Sequence, residues 1–462
     1  MALLGLKTGL FFAAMSTIYM LFKVKDYLYV PPIPAYEEQW WGPGEPHPVN
    51  ESVRPFRINV SQEILDDLKY RLENTLPFQK PLVGVKHHYG INTNLLQNIM
   101  DFWKTEYNWR EREKYFNKYP HFLVNIQGLD IHFIRVKPET TKDLKVLPLL
   151  VLHGWLGSVR EMYELIPLLT TPRKKKDFVF EVIVVSLPGF GYSDGASKPN
   201  LGSFHIGVIM KNLMLKLGFE KFYVQGTDWG GAIVQHMSVL FEDNIVAMHS
   251  NMCIVRSRFS TIRVFLYDMY PELFMAENED RYVDLLFPLT KLWSFRILEG
   301  GYFHIQSTKP DTIGVGLRES PAGLAAYMLE KFITLANPAY KDLDDGGLEK
   351  TYGITTLIDN IMLYWVTNSI TTSMRIYAED WTKINREDLS IERIPITIPT
   401  GCARFRHEVF LYPEGIMREK YQNLIHLTNH EGGHFPALEV PETLAEDIFT
   451  FIDKVNKLNS TE

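Results

Sequence analysis

The chain has 462 residues, 46% hydrophobic and 22% charged, with a formal net charge of -7. This is the balance of a globular protein, long enough for one large domain with insertions. The acidic charge, with no basic stripe carrying interleaved aromatics, argues against a nucleic-acid partner. Two cysteines, Cys253 and Cys402, imply no disulfide framework and fit a reducing, cytosol-facing compartment, although one distant pair can still bridge.

Between Met1 and Phe22 the only charged side chain is Lys7. A helix from Leu3 to Phe22 would span roughly 30 Å, about one hydrocarbon core. Lys23 and Lys25 follow it and no small-residue cleavage site does, which favours an uncleaved membrane anchor over residues 1–25 with the bulk of the chain toward the cytosol. Tyr29 to Val49 holds six prolines among Trp40, Trp41, Gly42 and Gly44; it should lie irregularly against a surface. Ile64, Leu65, Leu68 and Leu72 recur at helical spacing, predicting an amphipathic helix over Ser61 to Leu76, and a second helix covers about Asn94 to Tyr107. Residues 26–118 read as a wrapping region.

Strand signals start at Phe122. Phe122 to Ile134 predicts a hairpin about Gly128. Val146 to Leu152, Phe178 to Leu187, Phe222 to Gln225 and Ile245 to Met252 are apolar runs typical of buried parallel strands, alternating with helices. After this sixth strand the rhythm stops, and residues 253–377 predict a helical lid. The sheet resumes at Ile396 to Thr400 and Leu424 to Thr428, and a helix over about Pro441 to Lys457 closes the chain. The core thus comprises residues 119–252 and 378–462, split by the lid.

The chemistry gathers where strands end. Gly226-Thr227-Asp228-Trp229-Gly230-Gly231 joins a strand to a helix through a sharp turn. It has the form of the α/β-hydrolase nucleophile elbow, with Asp in place of the commoner Ser. A carboxylate needs no base to attack carbon, and the product is an ester on the enzyme. The plainer alternative is an Asp that caps the following helix. His153-Gly154-Trp155-Leu156-Gly157-Ser158 ends another strand, and the backbone N–H groups of Trp155 and Trp229 are the candidate oxyanion hole. Gly432-Gly433-His434-Phe435 follows the last strand, where that fold order expects the base. Glu408 follows the seventh strand as the partner acid, with Glu379 and Asp380 as runners-up. His430-Glu431-Gly432-Gly433-His434 also satisfies the His-Glu-x-x-His zinc pattern, but that chemistry needs a helix, which two glycines oppose.

Together these motifs, with Pro399-Thr400-Gly401, Gly301 to Thr312 and Ser320 to Tyr327, resemble the microsomal epoxide hydrolase family over nearly the whole chain. Within it the sequence looks most like the insect branch that acts on juvenile hormone. The resemblance implies an α/β-hydrolase fold with a helical lid and an N-terminal anchor in the endoplasmic reticulum membrane. It implies a small apolar epoxide as substrate, no metal or organic cofactor, and leaves room for a homo-oligomer. Carried over position by position, it makes Asp228 the nucleophile, His434 the base and Glu408 its acid. Tyr302 and Tyr377 become the lid phenols that bind the epoxide oxygen. Leu156 departs from the family, where proline is common, and is expected to loosen its loop. Three other functions share parts of the pattern: a haloalkane dehalogenase, a silent lipid-hormone carrier and a zinc protease.

Overall fold

A computed structural model describes residues 15–17, 19, 29–140, 144–255, 258–271, 287–380 and 388–459. The expected anchor over 1–25 lies outside these residues except for 15–17 and 19. Among the described residues no helix is long and apolar enough to cross a membrane.

Among the described residues nine strands form one sheet: β1 (Arg54–Phe56), β2 (His121–Ile126), β3 (Leu129–Val136), β4 (Lys145–Leu152), β5 (Phe178–Val185), β6 (Phe222–Gly226), β7 (Ile245–Ser250), β8 (Thr400–Phe405) and β9 (Leu424–His430). Their order is β1-β2-β3-β5-β4-β6-β7-β8-β9. The first three strands and the β3–β5 pair are antiparallel; from β5 to β9 every pair is parallel. All eight residues of β5 are buried, as a strand covered by helices on both faces requires. Its one charge, Glu181, accepts from Arg135 Nε at 2.6 Å, so the buried carboxylate keeps a partner.

The hairpin, the central parallel strands and the last helix (Pro441–Asn459) form where the apolar patterns place them. Three features differ. The wrapping region donates β1 to the sheet, so the helical insertion follows the seventh strand rather than the sixth. β1 is too short to show a period of its own and exists through its pairing with β2. The run Ile396 to Thr400 is a single bridge from Ile396 to Tyr421, and the strand proper begins at Thr400; Pro399 offers no N–H to a ladder. Finally, Cys253 and Cys402 are joined in a disulfide across 149 residues. Parallel pairing of β7 with β8 sets Ser250 opposite Cys402, which brings the two sulfurs together. The bridge is the one distant pair that the sequence left open.

The described part of the N-terminal region is tied down at several points. Trp41 is 1% exposed and exchanges backbone hydrogen bonds with Gln127 and Ser197. The predicted helices run from Gln62–Glu73 and Thr93–Thr105, capped by Ser61 and Asn92. A third, Trp109–Phe116, is capped by Asn108; its charged face hid it from a hydropathy reading.

The last helix is clamped by one buried acid. Asp447 Oδ1 accepts from His249 Nε2 at 2.8 Å and His426 Nε2 at 3.1 Å, and Oδ2 from Thr428 Oγ1 at 2.6 Å and His430 Nε2 at 2.8 Å. Burial opposes the carboxylate, but the three imidazole hydrogen bonds outweigh it and hold its pKa far below the ordinary 3.8. A depressed carboxylate stabilises fully above its unfolded pKa and loses that contribution on acidification. Asp447→Asn should therefore lower the unfolding free energy at pH 7 by about 3–5 kcal/mol. Urea denaturation of parent and variant at pH 7 measures the difference.

Candidate active site

Asp228 occupies the turn between β6 and the helix Trp229–Leu240, at φ 51° and ψ -124°. A non-glycine residue in this region is strained and persists only where its surroundings enforce it. Gly226 and Gly230 permit the turn, because a Cβ on Gly230 would lie 2.3 Å from the Leu152 carbonyl oxygen. The Asp228 side chain makes no capping hydrogen bond to its helix, which removes the plainer reading. Instead Oδ1 accepts from the Trp155 backbone N–H at 2.7 Å, and Oδ2 lies 3.3 Å from His434 Nε2.

His434 Nδ1 meets Glu408 Oε1 at 2.6 Å. Glu408 is 1% exposed and is held by its own Val409 N–H at 2.7 Å and by Asn251 Nδ2 at 3.3 Å. The loops carrying the two residues are joined by a hydrogen bond from His407 N to Gly432 O. Burial disfavours a charged His434, but Glu408 and Asp228 together outweigh it and hold the imidazole well above its usual range.

Two tyrosines close the site from the helical insertion. Tyr302, on the helix Gly301–Thr308, stacks on Trp155 with ring centroids 5.4 Å apart. Tyr377, on Ile370–Asp380, meets Trp155 at 5.8 Å and Trp229 at 4.8 Å, both edge-on. The two tyrosine rings are 6.2 Å apart and nearly perpendicular. Burial, then the nearby Asp228 charge for Tyr302 and the Tyr302 and Asp228 charges for Tyr377, push both phenols up. Both therefore stay protonated and able to donate at neutral pH.

The structure thus brings together Asp228, His434, Glu408, Trp155, Trp229, Tyr302 and Tyr377. Glu379 and Asp380 lie elsewhere: they accept from the backbone of Asn200 and Ser203 respectively. The His-Glu-x-x-His pattern is not on a helix; His430 ends β9 and is bound to Asp447. Among the described residues no group of His, Cys, Asp and Glu is placed to hold a metal.

Residues 53–162 match the family described as Epoxide hydrolase N terminus, and 148–297 match the alpha/beta hydrolase fold. Juvenile hormone epoxide hydrolase 1 of Ctenocephalides felis is 47% identical over 98% of this chain and 96% of its own. The chain belongs to the epoxide hydrolase family. Epoxide hydrolase 1 of Sus scrofa is 42% identical over 89% of this chain and 92% of its own. The crystal structure of juvenile hormone epoxide hydrolase from Bombyx mori superposes with a TM-score of 0.87 at 43% identity, covering 91% of this chain and 99% of that one.

Several supports of this epoxide hydrolase's site carry no sequence signal. The loop after β4 is pinned by the helix Ile354–Thr367: Asn360 Nδ2 donates to Leu156 O, Ser158 Oγ donates to Asn360 Oδ1 at 2.6 Å, and Tyr364 Oη donates to Gly157 O at 2.6 Å. Leu156 itself is buried and adopts φ 59°, so the expected loosening is not found. Next to Asn360, fully buried Asp359 joins three parts of the chain. It accepts from Arg112 Nη2 at 2.6 Å, Tyr107 Oη at 2.9 Å and Arg160 Nε at 3.0 Å. Only the folded chain shows that these residues meet. Removing one member of a buried ion cluster strands the others. Asp359→Asn should cost about 3–5 kcal/mol of unfolding free energy, read by urea denaturation. It should also lower turnover, since the Trp155 loop hangs on the neighbouring Asn360.

Proposed function

We propose that this epoxide hydrolase opens an apolar epoxide, juvenile hormone in the first place, by a two-step ester mechanism. The observation that carries the reading is the Asp228 carboxylate, held between the Trp155 N–H and His434 beneath two protonated phenols. The substrate is supported by the insect relatives named for juvenile hormone at 47% and 49% identity. A site walled by Trp155, Tyr302, Phe303 and Tyr377 also suits an apolar molecule.

In the first step an Asp228 oxygen attacks one epoxide carbon from behind and the carbon–oxygen bond breaks. The freed oxygen, still bound to the neighbouring carbon, takes a proton from the Tyr302–Tyr377 pair. Asp228 is then a neutral ester. In the resting site its charge, with that of Glu408, keeps His434 protonated. Once that charge is gone, the imidazolium proton restores the phenol and His434 becomes a free base. It then takes a proton from water as the water oxygen adds to the ester carbon. The N–H groups of Trp155 and Trp229 stabilise the tetrahedral oxyanion. Collapse releases the diol with one original carboxylate oxygen and regenerates the Asp228–His434 pair. Formation of the ester thus switches on the base that destroys it.

The uncharged run Thr8 to Phe22 supports attachment to a membrane, with the endoplasmic reticulum the compartment the family suggests. Carbonate washing of membranes should retain the full chain and release one lacking residues 1–25.

One turnover in heavy-oxygen water at enzyme excess, with juvenile hormone, tests the chemistry. The label should enter the peptide containing Asp228 and be missing from the first diol; label in that diol overturns the assignment of the nucleophile. His434→Gln should still form the ester, visible by intact mass, but hydrolyse it about 10²–10⁴-fold more slowly. Tyr302→Phe and Tyr377→Phe should instead slow ester formation, each by about 10²–10³-fold, as loss of one donor to a developing oxyanion does.

A further inference from the structure

Glu161 is a buried carboxyl that the reaction above leaves unused. It lies in the short helical turn Val159–Met162, directly after the Trp155 loop. The residue is 2% exposed, yet its Oε1 has no hydrogen-bond partner in the protein. Its other oxygen faces Gly157 so closely that a Cβ there would lie 2.4 Å away. The charged groups that act on it are His434 first, then Asp228, Glu439 and Glu408, with the hydroxyls of Tyr352 and Tyr364 nearby. Burial pushes it up to about 8, so it is an uncharged acid at neutral pH.

This placement is not explained by support of the triad. Both ring nitrogens of His434 are already engaged, by Glu408 and Asp228. The loop around His434 is held by a different acid: Glu439 accepts from Gly433 N at 2.6 Å and Phe435 N at 2.9 Å. Buried polar atoms in native proteins are met by protein or by water. The unpartnered Oε1, on a carboxyl packed against the Gly157 loop and within electrostatic reach of His434 and Asp228, supplies one of the polar contacts that an ordered water needs. Water is also the second reactant.

We propose that Glu161 holds the hydrolytic water and presents it to the Asp228 ester, a role that rests on the assignment of Asp228 and His434 made above. The water donates one hydrogen to Glu161 Oε1 and the other to His434 Nε2. As its oxygen bonds to the ester carbon, the O–H bond facing His434 breaks and the proton passes to the imidazole. Glu161 keeps its own proton throughout. An uncharged acid suits the position, because a carboxylate there would repel the tetrahedral oxyanion formed beside it.

The test separates the two half-reactions by rapid mixing at enzyme excess, with juvenile hormone and cis-stilbene oxide as parallel substrates. Ester formation is followed by intact mass and product by diol release. Glu161→Leu should form the ester at a rate within about threefold of the parent but release diol about 10–10²-fold more slowly, the scale of a misplaced reactant. Glu161→Gln keeps a carbonyl acceptor and should restore diol release to within about fivefold. Gly157→Ala keeps Glu161 but pushes its carboxyl aside, and should slow the same step; it decides the matter if the leucine variant does not fold. Equal loss in both half-reactions for Glu161→Leu and Gly157→Ala, or no change in either, overturns the role of Glu161. A parent enzyme that turns over without any ester on Asp228 overturns the nucleophile assignment and this role with it.

Discussion

The site depends on how closely two loops approach one another across the middle of the sheet. β4 and β6 are parallel neighbours with Leu152 opposite Gly226, so the chain leaves both strands at the same edge and turns at the same height. A Cβ on Gly154 would fall 2.0 Å from Asp228 Oδ1. Only glycine lets the Trp155 N–H come within hydrogen-bonding reach of the carboxylate. The strained dihedral angles of Asp228 belong to the same constraint: they aim the side chain out of its helix and toward that N–H.

Around this contact the electrostatics are arranged in opposition. His434 sits between two carboxylates that favour its charge, in a buried place that disfavours it. In the proposed reaction the ester removes the Asp228 charge, one of the two that favour the imidazolium. The phenols above are pushed the other way, toward keeping their protons. Under the proposed mechanism each group is thus held in the protonation state in which it acts.

What could be read from the sequence was what is local along it. The elbow, the His-Gly turn after β4 and the Gly-Gly-His segment each combine a strand end with glycines, and their order along the chain matches the order of roles. The lid tyrosines were legible only through family resemblance, because an isolated tyrosine in a helix looks like any packing aromatic. Residues whose purpose is a partner far along the chain gave no signal. Asn251, which holds Glu408, Asp359, which binds Arg112 and Arg160, and Asp447, among three histidines, all look like ordinary polar residues until the chain is folded. The disulfide was hidden for the same reason, since its two cysteines approach only through the pairing of β7 with β8.

Leu156 shows how such dependence limits the changes a chain can accept. Its φ of 59° is closed to proline, whose ring fixes φ near -65°. The carbonyl of Leu156 is also the acceptor for Asn360. The loop of this chain and a loop carrying proline at the same place are therefore two separate backbone solutions. Passing from one to the other requires the backbone at position 156 to leave its positive φ. Residues 156 and 360, 204 apart in sequence, thus hold one loop in one shape, and the backbone chosen at the first decides where the second finds its acceptor.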